Sequence, residues 1–255
     1  LPDAQLANIA DVCALQFQTA RKYPDQLANA GLHAGSAYNR LSDFSKSVPI
    51  LERVAQDTRV GGATRDDAKY QLALAYVGQG SALQPAAPER AVLFGKAIAS
   101  LDELLTSPNV PRGSGLYNSS VFQRASAYQN RGGGTLDFNN AIDGFAALAD
   151  GGAGVDPTLR DNARRNLIDV AVKAGANELK PETNDSPAAQ RAVALYEKAL
   201  RFDPRNLDLN VGLGEARLII ARGAAAPDKA AWFERARDAY REALNAGPSG
   251  AKASA

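Results

Sequence analysis

The side chains best suited to chemistry are few in this 255-residue chain, which holds one histidine, one cysteine and no methionine. His33 stands between Leu32 and Ala34 in an expected helix. A lone imidazole there reads as structural or surface, with acid–base work as the alternative. Cys13 falls on the apolar stripe of the first expected helix, which favours a small buried side chain over a nucleophile. One histidine and one thiol build neither a zinc-type cluster nor an internal disulfide, so no metal and no cofactor is expected. Gly132-Gly133-Gly134-Thr135 lacks the following lysine and the preceding strand of a phosphate cradle, and is expected to be a helix-to-helix loop. Acid pairs such as Asp66-Asp67 and Asp102-Glu103 are adjacent on helices, point in different directions and suit solvated faces. A carboxylate pair of the kind that helical hydrolases use stays open as a third class of function. Asn118-Ser119-Ser120 and Asn184-Asp185-Ser186 match a glycosylation acceptor pattern that matters only in a eukaryotic secretory setting.

Charge narrows the partners. The 29 basic and 28 acidic residues leave a net charge of +1, which gives no global footprint for nucleic acid. No apolar run approaches the roughly 20 residues that cross a bilayer. The apolar share of 45% fits a folded chain. Leu1-Pro2-Asp3 shows neither the basic region nor the apolar core of a signal peptide. With no methionine even at position 1, the expectation is a processed form or an excised segment. High alanine and glycine usage points to a GC-rich bacterial source, and the modest charge content leans the expectation towards the periplasm.

The elements that must position any site are helices. Apolar residues recur at three and four, segment after segment, and strand-like alternation is missing. The first helix is expected over Ala4–Lys22, with Leu6, Ile9, Cys13, Phe17 and Ala20 on one face and Pro24 closing it. Helices over Gln26–Leu41 and Phe44–Asp57 follow. Gly61-Gly62 breaks the chain and Thr64 is placed to cap the next helix. A helix over Pro88–Thr106 carries Ala97, Leu101 and Leu104. Asp156-Pro157 and Ser186-Pro187 read as helix starts, a cap and then a proline in the first turn.

Two C-terminal segments repeat each other: Ala192-x3-Tyr196-x2-Ala199-x4-Pro204 and Ala236-x3-Tyr240-x2-Ala243-x4-Pro248. Small residues on a helix stripe let a neighbour approach, the aromatic fills the gap, and proline ends the element. Leu213-Gly214 lies between the two copies. Leu72-Ala73-x2-Tyr76, Gly35-x2-Tyr38, Ala125-x2-Tyr128 and Ala141-x3-Phe145-x2-Leu148 carry related spacings. This pattern resembles the tetratricopeptide-repeat family, most closely over Arg191–Pro248. The family's early tryptophan is missing, and Trp232 lies at the start of a second helix. The stride from Ala192 to Ala236 exceeds the nominal repeat, an excess expected to fall in a loop around Gly223–Asp228 and a longer second helix.

The resemblance implies an all-α, right-handed solenoid of stacked antiparallel helix pairs. It divides the chain into an N-terminal helix over 1–24 packing on the first repeat, about five helix pairs over 25–248, and a disordered tail over 249–255. It also implies a non-catalytic scaffold or adaptor that binds a peptide or helix segment of another protein in a concave groove. Carried over position by position, that groove holds Leu32 and Asn39, then Tyr70, Leu74 and Val77, then Phe122 and Gln129, then Arg164, and finally Val211 and Glu215. Tyr70 and Phe122 serve equally well as helix packing. The lysine–asparagine clamp that some members close on a C-terminal carboxylate is not matched, because Leu32, Tyr70, Phe122 and Val211 stand at its positions. The alternative is a self-assembling oligomer joined through terminal helices, with the Phe17 stripe as the expected element.

Overall fold

The computed structural model describes residues 2–19, 24–152, 154–180 and 185–246. Among them are eleven α-helices and no strand. They are α1 (Asp3–Thr19), α2 (Pro24–Arg40), α3 (Phe44–Gln56), α4 (Gly62–Ala82), α5 (Pro88–Leu105) and α6 (Gly115–Arg131). Then come α7 (Thr135–Ala149), α8 (Pro157–Glu178), α9 (Ser186–Leu200), α10 (Leu207–Gly223) and α11 (Ala226–Ala246). No helix among the described residues is long and apolar enough to cross a membrane. The chain forms two compact units: Leu1–Gly133 with Gly152–Asp156, and Gly134–Gly151 with Pro157–Ala255. Within each unit consecutive helices pack on one another in chain order, as a helical repeat requires.

Local chemistry sets the helix ends. Asp43 accepts from the Lys46 amide at the start of α3, and Ser114 from the Tyr117 amide at the start of α6. Gly132 ends α6 at φ 64°, a left-handed conformation that suits a residue without a Cβ. Asp185 and Asn206 cap α9 and α10 through the amides of Ala188 and Leu209.

In the first unit the helices run as antiparallel neighbours. Gly31 of α2 faces Val54 of α3, and Gly35 faces Leu51, so the register runs in opposite directions. A Cβ on Gly35 would lie 2.4 Å from Leu51 Cγ, so the glycine is what lets α3 come close. Leu51, Leu72, Tyr76, Phe94 and Leu101 form the main buried cluster, joining α3, α4 and α5. The helices also fall into two rows. α2 touches α4 and α4 touches α6, whereas open grooves lie between α1 and α3 and between α3 and α5.

In the second unit α9 and α11 carry the tyrosines that fill such gaps. The Tyr196 ring lies against Gly175 of α8 and Gly212 of α10, where added Cβ atoms would come within 2.2 Å and 2.5 Å of its Cζ. Tyr240 fits against Gly214 in the same way. Ala192, Ala199, Ala236 and Ala243, the small residues of the repeated segment, are all buried. Pro248 and the expected tail over 249–255 lie outside the described residues.

Several expectations need correcting. Ile9 is 44% exposed, because α1 turns Ala10, Ala14 and Phe17 inward instead. Phe17 is buried against Ala28 and Val54, with only 5% of its surface exposed. Pro24 begins α2 rather than closing α1, consistent with the tolerance of a first turn for a missing N–H. Thr64 lies inside α4, whose cap residue is Gly61. The cap of α9 is Asp185, which puts Ser186 and Pro187 in the first turn. Much of the segment expected to loop around Gly223–Asp228 is helical, since α11 starts at Ala226.

Candidate interaction surface

The row formed by α2, α4 and α6 carries seven of the expected groove residues: Leu32 and Asn39 on α2, Tyr70, Leu74 and Val77 on α4, and Phe122 and Gln129 on α6. All seven are half-buried. Leu32, Tyr70 and Val77 support the main cluster from its edge. Asn39 is engaged at both ends of its amide. Its Nδ2 donates to the Gln71 carbonyl at 2.8 Å, and its Oδ1 accepts from Ser47 Oγ, tying α2 to α3 and α4. Burial pushes the Tyr70 phenol up, and a hydrogen bond with Ser119 of α6 partly offsets it. The remaining three residues belong to the second unit. Val211 and Glu215 are on α10, and Arg164 on α8 reaches the Ala149 carbonyl with Nε at 3.4 Å. Glu215 is exposed, and its charge helps to hold Tyr196, pushed up to about 12 chiefly by burial.

The grooves between the helices of the opposite row of the first unit carry an arrangement that occurs twice. Tyr38 of α2 donates to Asp11 of α1 at 2.5 Å, while Lys46 of α3 lies over its ring at 5.1 Å. Tyr76 of α4 likewise donates to Glu52 of α3, with Lys96 of α5 over its ring at 5.3 Å. Both tyrosines are the aromatic of a small-x2-aromatic motif. Each links the helices before and after its own, through a hydrogen bond on one side and a cation–π contact on the other. Burial, then the carboxylate partner, pushes both phenols well above the usual tyrosine range. The hydrogen bond from Tyr38, then Lys46, holds the Asp11 carboxyl below its usual range. The groove above Tyr38 encloses about 630 Å³, with Ala14, Phe17 and Ile50 as apolar floor and Lys46 and Arg53 at its edge. The groove above Tyr76 encloses about 280 Å³ and mixes Lys69 and Lys96 with Glu52 and Glu103.

No family model matches this chain, and no curated protein matches it.

His33 is exposed on α2, and Cys13 is half-buried against the cluster of Ala10, Ala14 and Tyr38. Among the described residues no group of three or more histidine, cysteine or acidic side chains is placed to hold a metal ion. Asp66 is buried and accepts from Ser107 Oγ at 2.5 Å and Asn109 Nδ2 at 3.0 Å, so it fastens the loop after α5 to α4. Partial desolvation, then the charge of Asp66, holds the Asp67 carboxyl above its usual range. Asn118 of the first acceptor triplet is buried and donates to the Gly113 carbonyl; Asn184 of the second lies outside the described residues.

Sequence reasoning missed Asp11, Glu52, Lys46 and Lys96. No spacing marks them, because Lys46 follows Tyr38 by eight residues and Lys96 follows Tyr76 by twenty. It also missed the structural role of Asn118, read only as an acceptor for glycosylation, and missed Asn210, though a signal exists for both. Each stands four residues after a capping side chain, Ser114 or Asn206, and donates back into the turn before its helix.

Proposed function

We propose that this chain is a non-catalytic scaffold of tetratricopeptide type, whose helix pairs wind into a right-handed superhelix and hold a peptide or helix segment of another protein. The binding face is the α2–α4–α6 row. The observation that carries this reading is the difference between the two rows of the first unit. Helices that touch along one row and stand apart along the other support a curve with the touching row on its inner side. On that side Leu74, Phe122 and Gln129 offer apolar contact beside a primary amide, which suits a segment with apolar anchors. Arg164, Val211 and Glu215 are the corresponding positions of the second unit.

The test uses peptides selected from a displayed random library against the wild-type chain. Leu74→Glu is the variant, because Leu74 keeps part of its surface and Tyr70 is needed by the core. Losing the burial of one leucine-sized anchor costs about 1.5–3 kcal/mol, so affinity should fall roughly 10- to 100-fold. Val92→Glu on α5, where Val92 is 61% exposed, should leave binding unchanged. Equal binding by Leu74→Glu, or selection of no peptide at all, removes this face from consideration. The alternative is self-assembly through terminal helices, supported by the exposed Ile9, Val12 and Leu15 of α1 and Phe233 and Leu244 of α11.

A further inference from the structure

We propose that the groove between α1 and α3 binds a small carboxylate with an apolar body, a medium-chain alkanoate, with its head group on the Arg53 guanidinium. The first unit builds this groove twice, and the two copies match position by position. Tyr38 and Tyr76, 38 residues apart, hold one place, and Lys46 and Lys96, 50 residues apart, hold another, each lysine over its tyrosine ring. On the same offsets Gly31 corresponds to Lys69 and Arg53 to Glu103. In the α3–α5 copy Lys69 and Glu103 pair at 3.0 Å, and the lining holds as many acids as bases. In the α1–α3 copy that pair is replaced. A Cβ on Gly31 would lie 2.8 Å from Cδ2 of Phe17, whose ring takes the space, and Arg53 reverses the charge of Glu103.

Arg53 is therefore a cation without its counter-charge. Its guanidinium lies 4.8 Å from the centre of the Phe17 ring, and among the described residues no carboxylate comes within ion-pair distance of it. The acids around it are committed elsewhere, Asp57 to Arg59 and Glu52 to Tyr76. At the far end of the groove Asp11 accepts from Tyr38 and pairs with Lys46, which Asp43 also meets. Of the two cations lining the groove, only Arg53 has no acid, and a guanidinium stacked on a ring still presents its planar edge to a carboxylate. The floor has changed in the same direction. Ile50 stands where the other copy has Ser100, and Ala14, Phe17 and Pro49 continue it. Arg53 and Lys46 are seven residues apart, about 10 Å along α3, with Ile50 between them, a length that suits a medium alkyl chain. The groove's volume of about 630 Å³ lies within the roughly 300–1,000 Å³ usual for small-molecule sites.

Calorimetric titration of the full chain with octanoate tests this. Wild type should bind octanoate saturably with a Kd below about 1 mM. Octanol, which lacks the charge, and acetate, which lacks the body, should each bind roughly tenfold more weakly or worse. Arg53→Gln should lower octanoate affinity by about tenfold or more and leave octanol affinity as it was. Arg53→Glu, which restores the charge of the sister groove, should abolish octanoate binding. Lys96→Gln in the sister groove should change nothing. Arg53 is exposed, so circular dichroism should show its variants as helical as wild type. In NMR spectra octanoate should shift the methyl signals of Ile50 and not those of Leu74 on the opposite face. Wild type that shows no saturable binding below about 1 mM overturns the proposal. So does an Arg53→Gln variant that binds octanoate as wild type does. Octanol bound as tightly as octanoate overturns it too, and points to an uncharged occupant.

Discussion

Replacing Gly212 with alanine tests whether the Tyr196 ring sets the spacing between α8, α9 and α10. In an exposed helix interior this exchange stabilises by about 0.4–1 kcal/mol, since alanine loses less conformational freedom than glycine. Here the new methyl would lie 2.5 Å from Tyr196 Cζ and 2.6 Å from its Oη. The ring cannot retreat, because Gly175 leaves only 2.2 Å for a Cβ on the other side and Tyr196 is 2% exposed. Overpacking of this kind costs about 1–3 kcal/mol, so the net loss should be about 1–2 kcal/mol. At about 2–4 °C per kcal/mol for a chain of this size, the Tm should fall by roughly 2–8 °C. Gly95→Ala is the control, because its Cβ would meet only Arg131 Nη1 at 3.9 Å. That variant should gain about 0.5 kcal/mol. Thermal and urea melts followed by circular dichroism measure both. If Gly212→Ala is as stable as Gly95→Ala, the ring does not fix the spacing.

Further outcomes follow from single contacts. Asn210 donates to the carbonyls of Pro204 and Asn206 from a buried position, so Asn210→Ala should cost about 1–3 kcal/mol in a urea melt. Asn210→Asp, which cannot donate, should be no better, and a stable aspartate variant would contradict the donor role. Hydrogen bonds from the Arg59 side chain, then from its backbone N–H, pull Asp57 down to about 2. A lowered carboxyl contributes stability above its ordinary value near 3.8 and loses it as pH falls through about 2. A carboxyl titration by NMR should place Asp57 near 2, and Arg59→Ala should return it towards the ordinary value; no change would refute the pairing.

The buried pattern was legible wherever small and aromatic residues recur at fixed offsets. Ala73 and Tyr76, Ala192 and Tyr196, and Ala236 and Ala243 are buried, as their spacing on one stripe implies. Helix α1 shows the limit of that reasoning. It carries two apolar stripes, and periodicity alone does not choose between Ile9 and Ala10; the close approach of α2, which alanines permit, does. Partners that arrive from another helix leave no local trace. Phe44 fills the space beside Gly78, and Glu52 takes the Tyr76 hydroxyl, through contacts spanning 34 and 24 residues. The face carried by α2, α4 and α6 could be assigned position by position. The commitment of Asn39 to Gln71 and Ser47 could not, because it depends on how three helices meet.

The unequal rows of the first unit also give it a stiff edge and a compliant one. Along α2, α4 and α6 the side chains are in contact, and compressing or stretching that edge would break close packing. Along α1, α3 and α5 open grooves separate the helices at the surface, above the buried packing of Phe17 on Val54 and of Leu51 with Phe94, and the links across them are tyrosine–carboxylate bonds, lysine–ring contacts and the Lys46–Asp11 ion pair, which adjust at little cost. The softest deformation is therefore a bend about the stiff edge, which widens or narrows the grooves together. On the proposed reading, a segment held along α2, α4 and α6 would bias that bend and so couple its own binding to the width of the grooves opposite.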